Sequence, residues 1–202
     1  MLKTFLTLAC ALLLSPTLAS ADARTALDRF AEDLESLSGQ FTQITLDADG
    51  FVADESSGQV YFKTPDRFRW RYLEPFPQDL VADGTRLWHY DESLDQVTVR
   101  DQPDAAESPL LVLTRPELLE RFYAIEPSES EDVIQFRPLS DEGEFETARL
   151  YFVDGLPSAL ELNDRFGQLT RLELTDLVRN PELDDELFQF VPPEGADILE
   201  GY

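Results

Sequence analysis

Cysteine is almost absent from this chain. The single one, Cys10, lies within ten residues of the start. No disulfide framework is available, so the fold must be held by burial alone. Histidine is equally scarce. His89 is the only one, which argues against a zinc site and against a histidine-dependent triad. No G-x-S-x-G elbow and no glycine-rich phosphate loop accompanies it. Basic residues are few as well. Sixteen Lys and Arg face 41 Asp and Glu, giving a net charge of −25. A chain this negative is repelled by phosphate backbones and by anionic lipid surfaces, so neither nucleic acid nor a membrane surface is an expected partner. The charge itself reads as solubility or adaptation to salt. With no metal ligands and no cofactor motif, no cofactor is expected.

Long apolar runs are missing except at the start. Lys3 precedes the apolar stretch 5–14, and Ala19-Ser20-Ala21 supplies small residues for cleavage. This is the pattern of a secretory leader, too short for a span of about 20 residues. Residues 1–21 are therefore expected to be removed, leaving 22–202 as a single exported, soluble domain. The stretch Thr7-Leu8-Ala9-Cys10 is a poor lipidation box, because Thr7 stands where a large aliphatic residue is usual.

What the chain does have is aromatic alternation. Residues 67–72 read Arg67-Phe68-Arg69-Trp70-Arg71-Tyr72. Side chains on a strand point to opposite faces with period 2. One face of this strand is cationic and expected to be wet. The other is a broad aromatic surface that needs an apolar cover, from either the protein's own core or a greasy ligand. Further strands are expected at 40–46, 58–63, 79–82, 86–90, 96–100, 133–138, 148–153, 159–163, 169–177 and 187–191. Asp83-Gly84 and Asp154-Gly155 are hairpin signals between them. This spacing predicts one antiparallel sheet that curls.

Two helical segments interrupt the strands. Leu27, Phe30, Leu34 and Leu37 recur near helical spacing, predicting an amphipathic helix over 22–38 with Gly39 as its stop. Ser108-Pro109 opens a second region, where Leu110, Leu111, Val112 and Leu113 are apolar on every side of one turn. Thr114 and Glu117 are spaced as a capping box for a short helix carrying Leu118, Leu119, Phe122 and Tyr123. A helix apolar all round is buried on both sides. The two regions could close a curled sheet as a lid, or serve as ordinary core. No clustered nucleophile and base suggests an enzyme, and His89 is expected to be structural.

Several segments together resemble one family. They are Phe41-Thr42-Gln43, Thr64-Pro65-Asp66-Arg67-Phe68-Arg69-Trp70, Val81-Ala82-Asp83-Gly84, Leu87-Trp88-His89-Tyr90, Asp95-Gln96-Val97 and Phe188-Gln189-Phe190-Val191-Pro192-Pro193-Glu194-Gly195. In order and spacing they are similar to the LolA family of periplasmic outer-membrane lipoprotein carriers. The resemblance implies an α+β fold, an eleven-stranded and incompletely closed antiparallel β-barrel with an α-helical lid at about 22–38 and 108–123. It implies a monomeric carrier of triacylated lipoproteins, loaded by the inner-membrane LolCDE transporter and unloaded to the outer-membrane acceptor LolB. Phe68, Trp70, Tyr72, Trp88 and Tyr90 would line the cargo site, with Leu110, Leu111, Leu113, Leu118 and Phe122 on the lid. The family's best-known members carry arginine before the proline, where it latches the lid; here Thr64 takes that place. The alternative reading is a periplasmic sensor module of the same fold that binds lipid or lipoprotein and signals.

Overall fold

The computed structural model describes residues 19–102, 112–128, 130–140 and 145–201. Helix α1 (Ala19–Ala31) is followed by strands β1 (Ser36–Leu46), β2 (Val52–Lys63), β3 (Arg67–Glu74), β4 (Gln78–Ala82), β5 (Arg86–Asp91) and β6 (Gln96–Asp101). Helix α2 (Glu117–Phe122) leads directly into β7 (Tyr123–Glu126) and β8 (Val133–Pro138). Then come β9 (Thr147–Val153), β10 (Leu156–Asn163), β11 (Leu169–Arg179), a 3-10 turn at Asp185–Phe188, and β12 (Asp197–Glu200). The twelve strands form one open sheet in the order β12-β6-β5-β4-β3-β2-β1-β11-β10-β9-β8-β7. Every described pairing is antiparallel except β12 with β6.

Among the described residues the sheet has twelve strands rather than the eleven implied by the resemblance; residues 197–200 add a parallel edge strand beside β6. Residues 187–191, expected as a strand, instead complete the 3-10 turn and cross the sheet. Tyr123, placed on the second lid helix by its spacing, starts β7. Asp154 (φ 52) and Gly155 (φ 77) both take the left-handed backbone that a tight hairpin needs.

Helix α1 ends seven residues before the expected limit. Asp33 adopts φ 53, a left-handed residue that terminates a helix as glycine often does. Asn180, at the far end of β11, then pins the turn. Its Oδ1 accepts from the backbone N–H of Glu35 (2.8 Å) and Ser36 (3.2 Å), and its Nδ2 donates to the Asp33 carbonyl (2.9 Å). Leu37 consequently lies on β1, and Gly39 is a mid-strand residue rather than a stop.

The inner face of the sheet carries the core. Leu27, Phe30 and Leu34 descend from the α1 region onto Ile134, Phe136, Leu150, Leu160, Leu172 and Leu174. Val112, Leu113, Leu118 and Leu119 join the same cluster from the α2 side. On the opposite side of β1, Gly58 lets β2 press against β3. A Cβ there would sit 1.9 Å from the Arg71 carbonyl oxygen and 2.9 Å from the Phe41 ring. Glycine alone permits that approach, and it brings Phe41 beside the β3 aromatics.

Candidate functional site

The register of β3 sorts its side chains as alternation requires. Phe68, Trp70 and Tyr72 stand opposite Phe62, Val60 and Gly58 of β2 on the inner face. The Trp70 ring lies 4.4 Å from Phe41, and Tyr72 meets Phe41 edge-on at 5.2 Å. All three β3 aromatics are only partly buried against the core. Beside them is an apolar cavity of about 80 Å³, walled by Leu37, Val60, Phe62, Phe68, Trp70, Leu113, Leu174 and Leu177. Its walls thus come from four strands and from the turn that precedes α2.

Sequence reasoning found Phe68, Trp70 and Leu113, and missed the other walls. Phe62 was legible in principle, because it faces Phe68 across the ladder once the register is known. Leu37 was hidden by its helix-like spacing. Leu177 reaches the cavity through a register shift between β1 and β11 that no pattern announces.

The lid residues divide. Leu113 and Leu118 are buried, and Phe122 is half-buried against the core with the Arg121 guanidinium 4.9 Å over its ring. Leu110 and Leu111 lie outside the described residues. The expected capping box does not form. The cap position of α2 is Pro116, with no side-chain cap, so Thr114 stands outside the helix and instead borders the cavity.

Trp88 and Tyr90 do not share the aromatic wall. The β4–β5 register sets Trp88 opposite Val81 and Tyr90 opposite Asp79, and both partners lie on the outer face with Arg69 and Arg71. There they receive the Phe190 ring at 5.7 and 5.9 Å. Trp88 and Tyr90 thus pack against the C-terminal segment, on the face opposite Phe68, Trp70 and Tyr72. His89, between them, turns inward and pairs with Gln78 at 3.1 Å.

The arginine face of β3 is covered at Arg67 and Arg69 and open to solvent at Arg71. Arg69 clasps the buried carboxylate of Asp79 and also donates to the Leu187 carbonyl at 3.0 Å. Arg67 sits 5.6 Å over the buried Phe188 ring and 3.2 Å from Asp185. The Lys63 ammonium donates to the same Asp185, and this hydrogen bond with the Arg67 charge lowers the carboxyl below its ordinary range. Residues 183–190 thereby brace the outer side of the strand whose inner side bears the aromatics.

Three contacts hold the inner cover in place. Thr64 Oγ1 donates to the Glu35 carbonyl at 3.2 Å, beside a backbone bond from Thr64 N–H to the same oxygen at 2.9 Å. Thr64 therefore fastens the exit of α1. Arg179 donates to the Glu32 carbonyl at the end of α1, with its guanidinium 5.8 Å over the Phe30 ring. Arg24 of α1 reaches Glu120 of α2 at 3.0 Å.

The inner face changes character along its length. After Phe41, β1 presents Gln43 and Thr45 inward. Tyr72 donates its hydroxyl to Gln43 Oε1 at 3.3 Å, and Thr45 meets Thr170 at 3.4 Å. Burial pushes the Tyr72 phenol above its usual range. The inner face thus passes from aromatic to polar along β1. Among the described residues no three His, Asp or Glu side chains gather as metal ligands, and no helix is long and apolar enough to cross a membrane.

Comparison with known proteins agrees with this geometry. The family model described as outer membrane lipoprotein carrier protein LolA matches residues 32–191. The chain is 43% identical over 200 residues to a protein of Halorhodospira halophila named outer-membrane lipoprotein carrier protein, covering 99% of this chain and 96% of that one. It is 44% identical over 199 residues to one of the same name from Alkalilimnicola ehrlichii, covering 96% and 92%. A solved structure of an uncharacterized conserved protein from Thermus thermophilus shares the fold, with a TM-score of 0.55 at 16% identity over 89% of this chain and 99% of that one. The open sheet, its aromatic inner wall and these matches together assign the chain to the outer-membrane lipoprotein carrier family, LolA, a family of carriers and not of enzymes.

Proposed function

We propose that this protein ferries triacylated lipoproteins across the periplasm, taking them from the inner-membrane LolCDE transporter and giving them up to the outer-membrane acceptor LolB. On this reading residues 1–21 serve export, and 22–202 act as a monomer without cofactor. The observation that carries it is the cavity between β1, β2, β3, β11 and the turn that precedes α2, apolar on nearly every wall and closed on one side by Leu113 of that turn. Phe68 and Trp70 form its floor, Tyr72 continues it, and Leu113, Leu118 and Phe122 belong to the cover.

Size supports a closed, unloaded state. Ligand pockets span about 300–1,000 Å³, whereas this cavity has about 80 Å³. Cargo must therefore displace the cover. Burying acyl chain yields about 0.8 kcal/mol per CH₂, and the work of lifting α1 and α2 offsets part of it. That balance suits a carrier, because cargo held with the full transfer energy of three chains would not leave.

The test is lipoprotein transfer by Phe68→Glu. A carboxylate in this wall faces apolar groups and has no cation on its own side of β3, so acyl chains would desolvate it at a cost. Loading should fall to near background with the circular dichroism spectrum unchanged. Normal loading by the folded variant would remove Phe68 from the site. His89→Ala should load and release normally, since His89 is bonded to Gln78 outside the cavity walls.

A further inference from the structure

Two polar side-chain atoms on the inner face are shut off from solvent without a hydrogen-bond partner: Trp70 Nε1 and Ser56 Oγ. Folded proteins keep few such groups, because each forfeits its bonds to water and gains nothing in return. Both stand where the inner face passes from apolar to polar. Trp70 walls the cavity and lies against Phe41. Ser56 stands across the ladder from Gln43, the residue that accepts the Tyr72 hydroxyl. Trp70 Nε1 lies near the Tyr72 hydroxyl but outside hydrogen-bonding geometry.

A bare hydrocarbon offers these donors nothing. An acylated molecule does, since each tail ends in an ester or amide carbonyl. Phe41 packs on Trp70, and Gln43, two residues further along β1, faces Ser56 across the ladder, so a tail lying along Phe68 and Trp70 would carry its carbonyl toward these donors. We infer, resting on the carrier reading above, that Trp70 Nε1, seconded by Ser56 Oγ, hydrogen-bonds the acyl-linkage carbonyl, so that the site recognises an ester or amide and not the hydrocarbon alone. A site built around a hydrogen bond discriminates against a ligand lacking the matching group, because its own buried donor then stays unpaired.

The experiment compares a diacylglycerol with its dialkyl ether counterpart of equal chain length, which lacks only the carbonyls. Affinities are measured by displacement of a fluorescent fatty acid from the purified protein. The wild type should prefer the ester by about fivefold, the factor of one ordinary hydrogen bond. Trp70→Phe should bring the ratio close to one, and Ser56→Ala should reduce it. The ratio is taken within each variant, so a general loss of packing cancels. Independently of any Trp70 variant, the indole N–H resonance of Trp70 should move downfield with the ester and not with the ether; it is assigned in Trp88→Phe, which leaves one tryptophan in the chain. Equal wild-type affinity for the two lipids, or a full preference surviving in Trp70→Phe, overturns the inference and leaves the carrier reading standing. Failure of the wild type to bind either lipid overturns both.

Discussion

Arg24 and Glu120 form an ion pair 3.0 Å long between the two helices that cover the inner face. Arg24 also holds Asp28 one turn along α1 at 2.9 Å, so its guanidinium is positioned before it reaches across. Glu120 is largely exposed, and an exposed pair is worth about 0–1 kcal/mol. Its effect on global stability is therefore small, while its effect on a short cover element is proportionally larger. Glu120→Gln should shift the melting temperature by no more than a few degrees. It should speed uptake of a fluorescent fatty acid and raise hydrogen exchange over residues 112–122. Unchanged exchange there would show that the pair does not restrain the cover.

If cargo enters by lifting the cover, a bond across the cavity should stop it. Val60 and Leu113 line the same cavity from the sheet and from the cover. The one native cysteine, Cys10, falls in the stretch read as a leader. Val60→Cys with Leu113→Cys, joined by a short thiol-reactive linker containing a cleavable disulfide, should lose lipoprotein loading and regain it on reduction. Each single variant treated the same way should load. Full-rate loading by the joined protein would mean that these residues are static core.

Strand content and the two-sided character of β3 were legible in the sequence because alternation is local. Which face of a neighbouring strand shares that surface was not. Trp88 and Tyr90 look like natural companions of Trp70, yet cross-strand register turns them outward, and register depends on turns and pairings that residue spacing does not report. The same limit explains the arginines. Nothing in 67–72 announces that residues 183–190 fold over them, because that contact spans more than a hundred residues. Helix α1 was overextended for a different reason. Leu34 and Leu37 continue its periodicity, but they are buried by the turn and the strand that follow, and an Asp at φ 53 can end a helix as well as glycine does.

The Asp79 carboxylate is the buried acid of the outer face, gripped by Arg69 and approached by Arg71 at 3.4 Å. Removing one partner of a buried pair strands the other, at a cost of about 3–5 kcal/mol. Asp79→Ala should lower unfolding free energy by that order in a denaturant titration. Adding Arg69→Met, which removes the stranded cation and keeps an apolar stem, should return part of the loss even though the bond to the Leu187 carbonyl goes too. A double variant less stable than Asp79→Ala would show that Arg69 works chiefly through Leu187.

Tyr123 supplies a pH signature of the packed cover. It follows α2 directly, is 5% exposed, and packs on Phe136 and Phe145 at 5.0 and 6.0 Å. Burial pushes its phenol up to about 12. A folded-state value above the unfolded one means that the unfolded chain gives up its proton first. The stabilisation is complete below about pH 10, the unfolded value, and is lost as pH climbs toward 12. The native protein should therefore lose on the order of 2 kcal/mol across that window from this group alone. Tyr123→Phe keeps the ring contacts and has no proton to lose. Its stability should decline less between pH 10 and 12, with the difference from wild type growing through the window. Parallel declines for the two proteins would mean that the Tyr123 hydroxyl reaches solvent, and that the junction between α2 and β7 opens without global unfolding.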